Sequence, residues 1–364
     1  MLKGKGFLIW QIPRCEGGDA TKIAEVAKAA NYTHIVIKIA DGTYPYNINS
    51  TTKKDMVPAV ANALRAKGIE VWGWHYIYGN NPTGEASIAA QRVKGLNLNG
   101  YVIDAEIEFQ QPGMDKAATT FMSALRKSLP STPIALCSFR YPSYHPQFPW
   151  SAFLDKCDYN MPQVYWQESH NAGAQLTRSF NEFQTLKPVR PYIPMGPMYG
   201  ASGWSPSASE VLEFMNTAIS LNISGANFFT WDYRSRYPAV WNTIAAYPWS
   251  SGNTNLDIPE KFIAAMNSKD PQKVAALYTS EAIRIAKRGI IQGQTNLLDH
   301  YKTMLNTTLP NGEYKLSGKS GSGASRHFTW TCTAASGKVT DGYDTVGIVG
   351  DKIIYHFSYY TIQQ

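Results

Sequence analysis

Ten residues, Gly100-Tyr101-Val102-Ile103-Asp104-Ala105-Glu106-Ile107-Glu108-Phe109, begin as an apolar, β-branched run and close on three carboxylates spaced two apart. In a strand, side chains two apart share a face, so Asp104, Glu106 and Glu108 are expected to point the same way at a strand end. Three acids on one face repel each other and resist burial, which displaces at least one pKa. Acid–base chemistry, metal binding or sugar recognition could use such an arrangement. Glu106, flanked by the other two, suits a carboxyl kept protonated near neutrality. A structural cluster paired with Lys38 or Arg140 is the plainer alternative.

Other residues could complete a site. His75 and Tyr76 stand in Gly73-Trp74-His75-Tyr76, and Gln163 and Tyr165 share the face of a later strand. Polar and aromatic groups in that alternation could orient a sugar. Trp231 and Asp232 end a strand, and Trp231 is expected inward as a sugar platform. Lys38, inside an apolar strand, is expected to face an acid. No His/Cys cluster has metal-ligand spacing, and no cofactor is implied. Core packing competes with each assignment.

Positioning these groups requires a scaffold, and the chain supplies a regular one. Apolar strands at residues 6–12, 34–40, 69–78, 100–109, 133–138, 158–166, 191–195 and 225–233 alternate with helical stretches. Continuous apolar strands between helices imply a parallel sheet covered on both faces. Eight units in about 245 residues suggest a (β/α)8 TIM barrel, whose sites lie at the C-terminal strand ends. A doubly wound open sheet is the runner-up, but no GxGxxG or GxxxxGK[ST] turn is present. Composition shifts around Ser250-Ser251-Gly252-Asn253. The expected organisation is a barrel over 1–249, a linker over 250–256 and a second domain over 257–364. In the last, helices at 258–267, from Asp270-Pro271 and near 294–305 precede strands at 313–319, 325–334, 338–348 and 352–361, an α+β pattern.

Three segments make the first domain resemble the glycoside hydrolase family 25 lysozymes, which cleave peptidoglycan. Ile37-Lys38-Ile39-Ala40-Asp41-Gly42-Thr43 resembles that family's second-strand motif. Gly73-Trp74-His75-Tyr76 resembles its third-strand aromatic-His-aromatic segment. Asp104-Ala105-Glu106 matches its fourth-strand D-x-E, in which the Glu is the general acid. The family's first-strand Asp is absent: Leu8-Ile9-Trp10-Gln11 stands there, which puts Gln11 at the site. Family 18 chitinases offer a second register, in which Asp104-x-Glu106-x-Glu108 imitates the end of the fourth-strand motif and Glu108 becomes the acid. Tyr165 and Trp231 could match two further motif positions, while Trp166 replaces an expected Asp. The implied function is hydrolysis of an amino-sugar polymer such as peptidoglycan or chitin. The alternative is a non-catalytic carbohydrate-binding barrel. Residues 257–361 are similar to SnoaL-like domains of the nuclear-transport-factor-2 superfamily, through Phe262-Ile263-Ala264-Ala265, Ala275-Ala276-Leu277-Tyr278 and the segment from Asp341 to His356. Such α+β cones serve as small enzymes, ligand pockets or dimerisation modules, so a homodimer through this domain, or activity lodged within it, stays open.

The 364 residues carry a net charge of +7 with 44% hydrophobic content. That balance favours acidic partners, yet no run of five Lys/Arg occurs, so a glycan is the expected partner, with neither nucleic acid nor membrane. The four cysteines are expected as free thiols. The N-terminal stretch shows no signal peptide, leaving a cytoplasmic chain as written or one exported by a signal not visible here. Brief proteolysis is expected to cut between Ser250 and Asn255 and leave two folded fragments. Cuts only within residues 1–245, with no stable fragment, would contradict the two-domain reading.

Overall fold

The structure, a computed structural model, describes residues 2–249, 257–287 and 289–363. The linker expected over 250–256 lies outside the described residues. The chain divides into two compact units, Met1–Thr254 and Asn255–Gln364.

The first unit carries eight parallel strands: β1 (Gly4–Ile9), β2 (His34–Asp41), β3 (Glu70–Ile77), β4 (Gly100–Ala105), β5 (Ile134–Cys137), β6 (Tyr159–Asn160), β7 (Met195–Pro197) and β8 (Gly225–Phe229). They run in the order β6-β5-β4-β3-β2-β1-β8-β7, with Tyr44–Pro45 pairing antiparallel onto β2. The sheet curls. Isolated parallel bridges link each outermost strand to a residue flanking the other, Asn160 with Tyr192 and Met195 with Gln163. β6 is far shorter than the expected 158–166, because Pro162 has no N–H to continue a ladder.

Helices α1 (Ala20–Ala29), α2 (Val57–Ala66), α3 (Pro82–Gly95), α4 (Met114–Ser128), α5 (Trp150–Leu154), α6 (Ala172–Thr185), α7 (Ala208–Ser220) and α8 (Pro238–Ala246) cover the outer face. Local chemistry sets their ends. Asp19 accepts from the N–H groups of Thr21 and Lys22 at the start of α1, and Ser207 with Glu210 forms a capping box on α7.

Alternation along the strands divides the core in two. Phe7, Ile9, Ile35, Ile37, Tyr101 and Ile103 pack outward against the helices. Leu8, Val36, Trp72, Trp74, Val102, Ala135 and Met195 fill the inner face. Lys5, on the outward face of β1, donates to the carbonyls of Ile244 (2.9 Å) and Ala245 (2.7 Å) at the end of α8. Carbonyls in the last turn of a helix lack the full set of intrahelical partners, and burial lowers the Lys5 pKa to about 8.

The second unit opens with α9 (Ile258–Asn267) and α10 (Pro271–Ala275), followed by β9 (Tyr278–Ala286), β10 (Gly289–Gln292) and α11 (Gln294–Thr303). It closes with β11 (Glu313–Ser320), β12 (Ser325–Ala334), β13 (Gly337–Val349) and β14 (Lys352–Tyr359). The sheet order is β10-β9-β14-β13-β12-β11. The last four strands and the three helices match the sequence pattern. β9 and β10 do not: the polar Arg284 stands on the buried face of β9, and β10 is only four residues long. On β14, His356 and Ser358 face the core while Tyr355, Phe357 and Tyr359 are exposed.

The N-terminal end of the first sheet is tightly packed. His34 Nε2 meets Asn227 Oδ1 at 2.9 Å, and a Cβ on Gly6 would stand 2.1 Å from that nitrogen and 2.5 Å from Asn227 Oδ1. Gly6→Ala is therefore expected to destabilise the protein by roughly 1–3 kcal/mol or more, read as a lowered urea midpoint. An unchanged midpoint would contradict this packing.

Candidate acidic site at the strand ends

β4 ends at Ala105, whose carbonyl accepts from the Ser138 hydroxyl at 2.7 Å. The chain then leaves extended geometry: Glu106 has φ −130° and ψ −137°, and residues Ile107–Gln110 form a 3-10 turn. The expected single strand face bearing three acids is thus corrected. Asp104 belongs to the strand, Glu106 to the corner and Glu108 to the turn. The turn nevertheless brings Glu108 back, since Tyr76 on β3 donates its hydroxyl to Glu108 Oε2 at 2.9 Å.

Gln163 ties the pair together. Its Nε2 donates to Asp104 Oδ1 (3.0 Å) and Glu106 Oε1 (2.8 Å), and lies 3.4 Å from Cys137 Sγ. Asp104 is buried and its pKa stands well above the usual carboxylate range. Burial is the main cause and the Glu106 charge adds to it, while Lys38 partly offsets both. Half-buried Glu106 is also raised, by desolvation first and the Glu108 charge among the rest, and is held back by the Gln163 amide. Two close carboxyls in a dry setting cannot both ionise cheaply, so burial first and the neighbouring charge second favour a proton kept by the pair.

Aromatic rings surround the acids. Lys38 Nζ pairs with Asp41 Oδ2 at 2.5 Å and lies 4.4 Å from the Tyr46 ring centroid and 4.7 Å from that of Trp74. The expected Lys–acid contact exists, with Asp41 as partner. Tyr78 donates to the other Asp41 oxygen at 2.8 Å. Across the opening Tyr165 packs on Tyr199 and Phe229, and Phe229 on Trp10 and Trp74. Tyr165 donates to Met195 Sδ at 3.0 Å. The indole Nε1 of Trp10 is buried and has no hydrogen-bond partner among the described residues. Trp10, Tyr46, Trp74, Tyr199 and Phe229 were not singled out from the sequence, although their abundance near strand ends was the available signal.

Three expected site residues are placed differently. Trp231 points away from the inner face. It is fully buried against Phe7, Tyr32 and Trp241 in the outer layer, because the chain turns after β8 ends at Phe229. His75 also faces outward, between the Tyr101 hydroxyl (2.8 Å) and the Gly42 carbonyl (2.7 Å). Asp232 accepts the backbone N–H groups of Trp10 (2.9 Å) and Gln11 (2.8 Å) and the Thr230 hydroxyl (2.7 Å). It is a clamp on the end of β1, and Gln11 enters through its backbone. The four cysteines are free and buried. Among the described residues, no group of three or more His, Cys, Asp or Glu is placed to hold a metal ion, and no helix is long and apolar enough to cross a membrane.

No family model matches the chain, and no curated protein matches it. Among solved structures, the chain is similar to a protein of the SnoaL-like family from Agrobacterium tumefaciens, at 18% identity over 29% of this chain and 94% of that one, with a TM-score of 0.25. It is also similar to an NTF2-like protein of unknown function from Cytophaga hutchinsonii, at 11% identity over 28% of this chain and 84% of that one, TM-score 0.24. These likenesses cover under a third of the chain and carry no functional argument.

Burial lowers the His75 pKa to about 4. Unfolded His takes up a proton near pH 6.5, so the stability its neutral burial allows is present above that pH and is lost as pH falls toward 4. His75→Gln is expected to be less stable than wild type at pH 7, with the gap narrowing by pH 4.5. A pH-independent gap in urea unfolding would contradict this.

Proposed function

We propose that the first unit is a (β/α)8 barrel acting on an amino-sugar polymer such as peptidoglycan or chitin. The observation that carries the reading is the proton-retaining Asp104–Glu106 pair, bridged by Gln163 within an aromatic surround at the C-terminal ends of the strands. The bridges at the sheet's outermost strands support closure into a barrel. The sugar reading draws support from the rings, since pyranose faces stack on aromatics, and from Trp10 Nε1, a buried donor lacking an acceptor.

Hydrolysis needs a protonated acid at the leaving oxygen and a carboxylate near the cation-like centre. Glu106, the more accessible of the pair, delivers its proton to the glycosidic oxygen as the C–O bond breaks. With the shared proton on Glu106, the deeper Asp104 is the ionised partner and faces the developing positive charge. Glu108 orients Tyr76. Lys38 sits beside the pair and favours its anionic form. Water adds to the anomeric carbon and returns the proton.

A second reading places the activity in the C-terminal unit as a SnoaL-like pocket or dimerisation module. It is favoured by a buried polar chain there: His356 Nδ1 meets the Tyr278 hydroxyl at 2.6 Å, and that hydroxyl meets Tyr301's at 2.6 Å. The exposed Tyr355, Phe357 and Tyr359 face is what a dimer would cover. Gln11, in the place of the family 25 first-strand Asp, favours a barrel that binds glycan without cleaving it.

Glu106→Gln is expected to lower turnover of cell-wall or chitin oligomers by about a hundredfold or more, the typical general-acid contribution, with binding retained. Loss of turnover in Glu108→Gln alone would move the acid to Glu108. Wild type that binds sugar but never cleaves any glycan would establish the binding-only alternative.

A further inference from the structure

The C-terminal unit holds a cavity of about 180 Å³ between β9, β10, α11 and the turn at Met304–Thr308. Arg284 lines it. This side chain is 3% exposed, and among the described residues its Nε has no hydrogen-bond partner. Its guanidinium sits against the Tyr301 hydroxyl. Among the described residues no carboxylate forms an ion pair with it. Asp344, the acid whose charge it feels, accepts from Trp330 Nε1 at 2.9 Å and faces His356 Nε2 at 3.4 Å.

A buried guanidinium without an anion is costly. His300 lines the same cavity, and its Nε2 is also buried without a partner. Burial, then the charges of Arg284 and His356, lower its pKa to about 4. The ring is therefore neutral near pH 7 and offers one N–H. The remaining wall is largely apolar, with Ile290, Ile291 and Met304, and Tyr360 stands at one side. The volume is below the roughly 300–1,000 Å³ of drug-sized pockets. One fork of donors, one neutral imidazole and an apolar wall suit a small monoanion with a hydrocarbon body. A planar carboxylate matches the guanidinium fork.

We propose that this cavity binds a small organic carboxylate, with Arg284 and His300 holding the carboxylate and Ile290, Ile291 and Met304 taking the apolar body. The proposal rests on reading the C-terminal unit as a ligand-holding module and is independent of the acid pair in the first unit.

Isothermal titration calorimetry on the full chain tests it, with benzoate and hexanoate as probes and benzyl alcohol and inorganic phosphate as comparisons. At least one carboxylate is expected to bind at least tenfold more tightly than benzyl alcohol or phosphate. Arg284→Gln should remove that advantage while leaving benzyl alcohol unchanged. His300→Ala, at a less buried position, should weaken carboxylate binding several-fold and serves if Arg284→Gln does not fold. Equal binding of benzoate and benzyl alcohol would overturn the carboxylate assignment while leaving a ligand pocket. Tighter phosphate binding would overturn it in favour of an inorganic anion. No binding by any probe would overturn the pocket reading as well.

Discussion

Two carboxyl groups share one amide donor at the end of a sheet whose inner face is lined mostly by apolar side chains. Asp104 cannot ionise there without losing most of its hydration, and Glu106 cannot ionise freely beside an ionised Asp104. Gln163 eases the conflict by donating to both, and Lys38 adds a nearby positive charge. The result is a pair that keeps a proton where an ordinary carboxylate would have released it. Replacing Gln163 with an apolar residue would leave two acids without their common donor, so its role cannot be separated from theirs.

The scaffold positions this pair by small, local devices. The Ser138 hydroxyl binds the Ala105 carbonyl where β4 ends, and the turn at Ile107–Gln110 returns Glu108 to Tyr76. Asp232 gathers the N–H groups of Trp10 and Gln11, which sets the end of β1 and with it the Trp10 ring. Lys38 is caged by Tyr46 and Trp74 and paired to Asp41, so its charge stays near the acids instead of extending into water. None of these contacts needs a long-range movement to form a site, and the inner aromatic cluster holds them from below.

Much of this was legible in the sequence because periodicity governs it. The strand–helix alternation through Phe229 and the α+β pattern after residue 257 both follow from local rules. What failed was parity at strand ends. Glu106 and Glu108 follow a backbone corner, and Trp231 follows another after Phe229, so counting by twos assigned faces beyond the point where the strand existed. His75 was readable: Trp74 and Tyr76 face inward, so the residue between them must face the helices. The β9 and β10 strands were hidden because a buried Arg284 resembles a surface residue until its unpaired environment is known. Long-range contacts such as that of Gln163 with Asp104 join residues 59 positions apart, and no local pattern announces them.

The most direct test of the account is a crystal structure with a bound chitin or muropeptide fragment. The account predicts a sugar seated between the inner aromatic rings, with a glycosidic oxygen within hydrogen-bonding distance of Glu106 and a polar group of the sugar on Trp10 Nε1. A fragment bound away from Asp104 and Glu106, or none bound at saturating concentration, would contradict it.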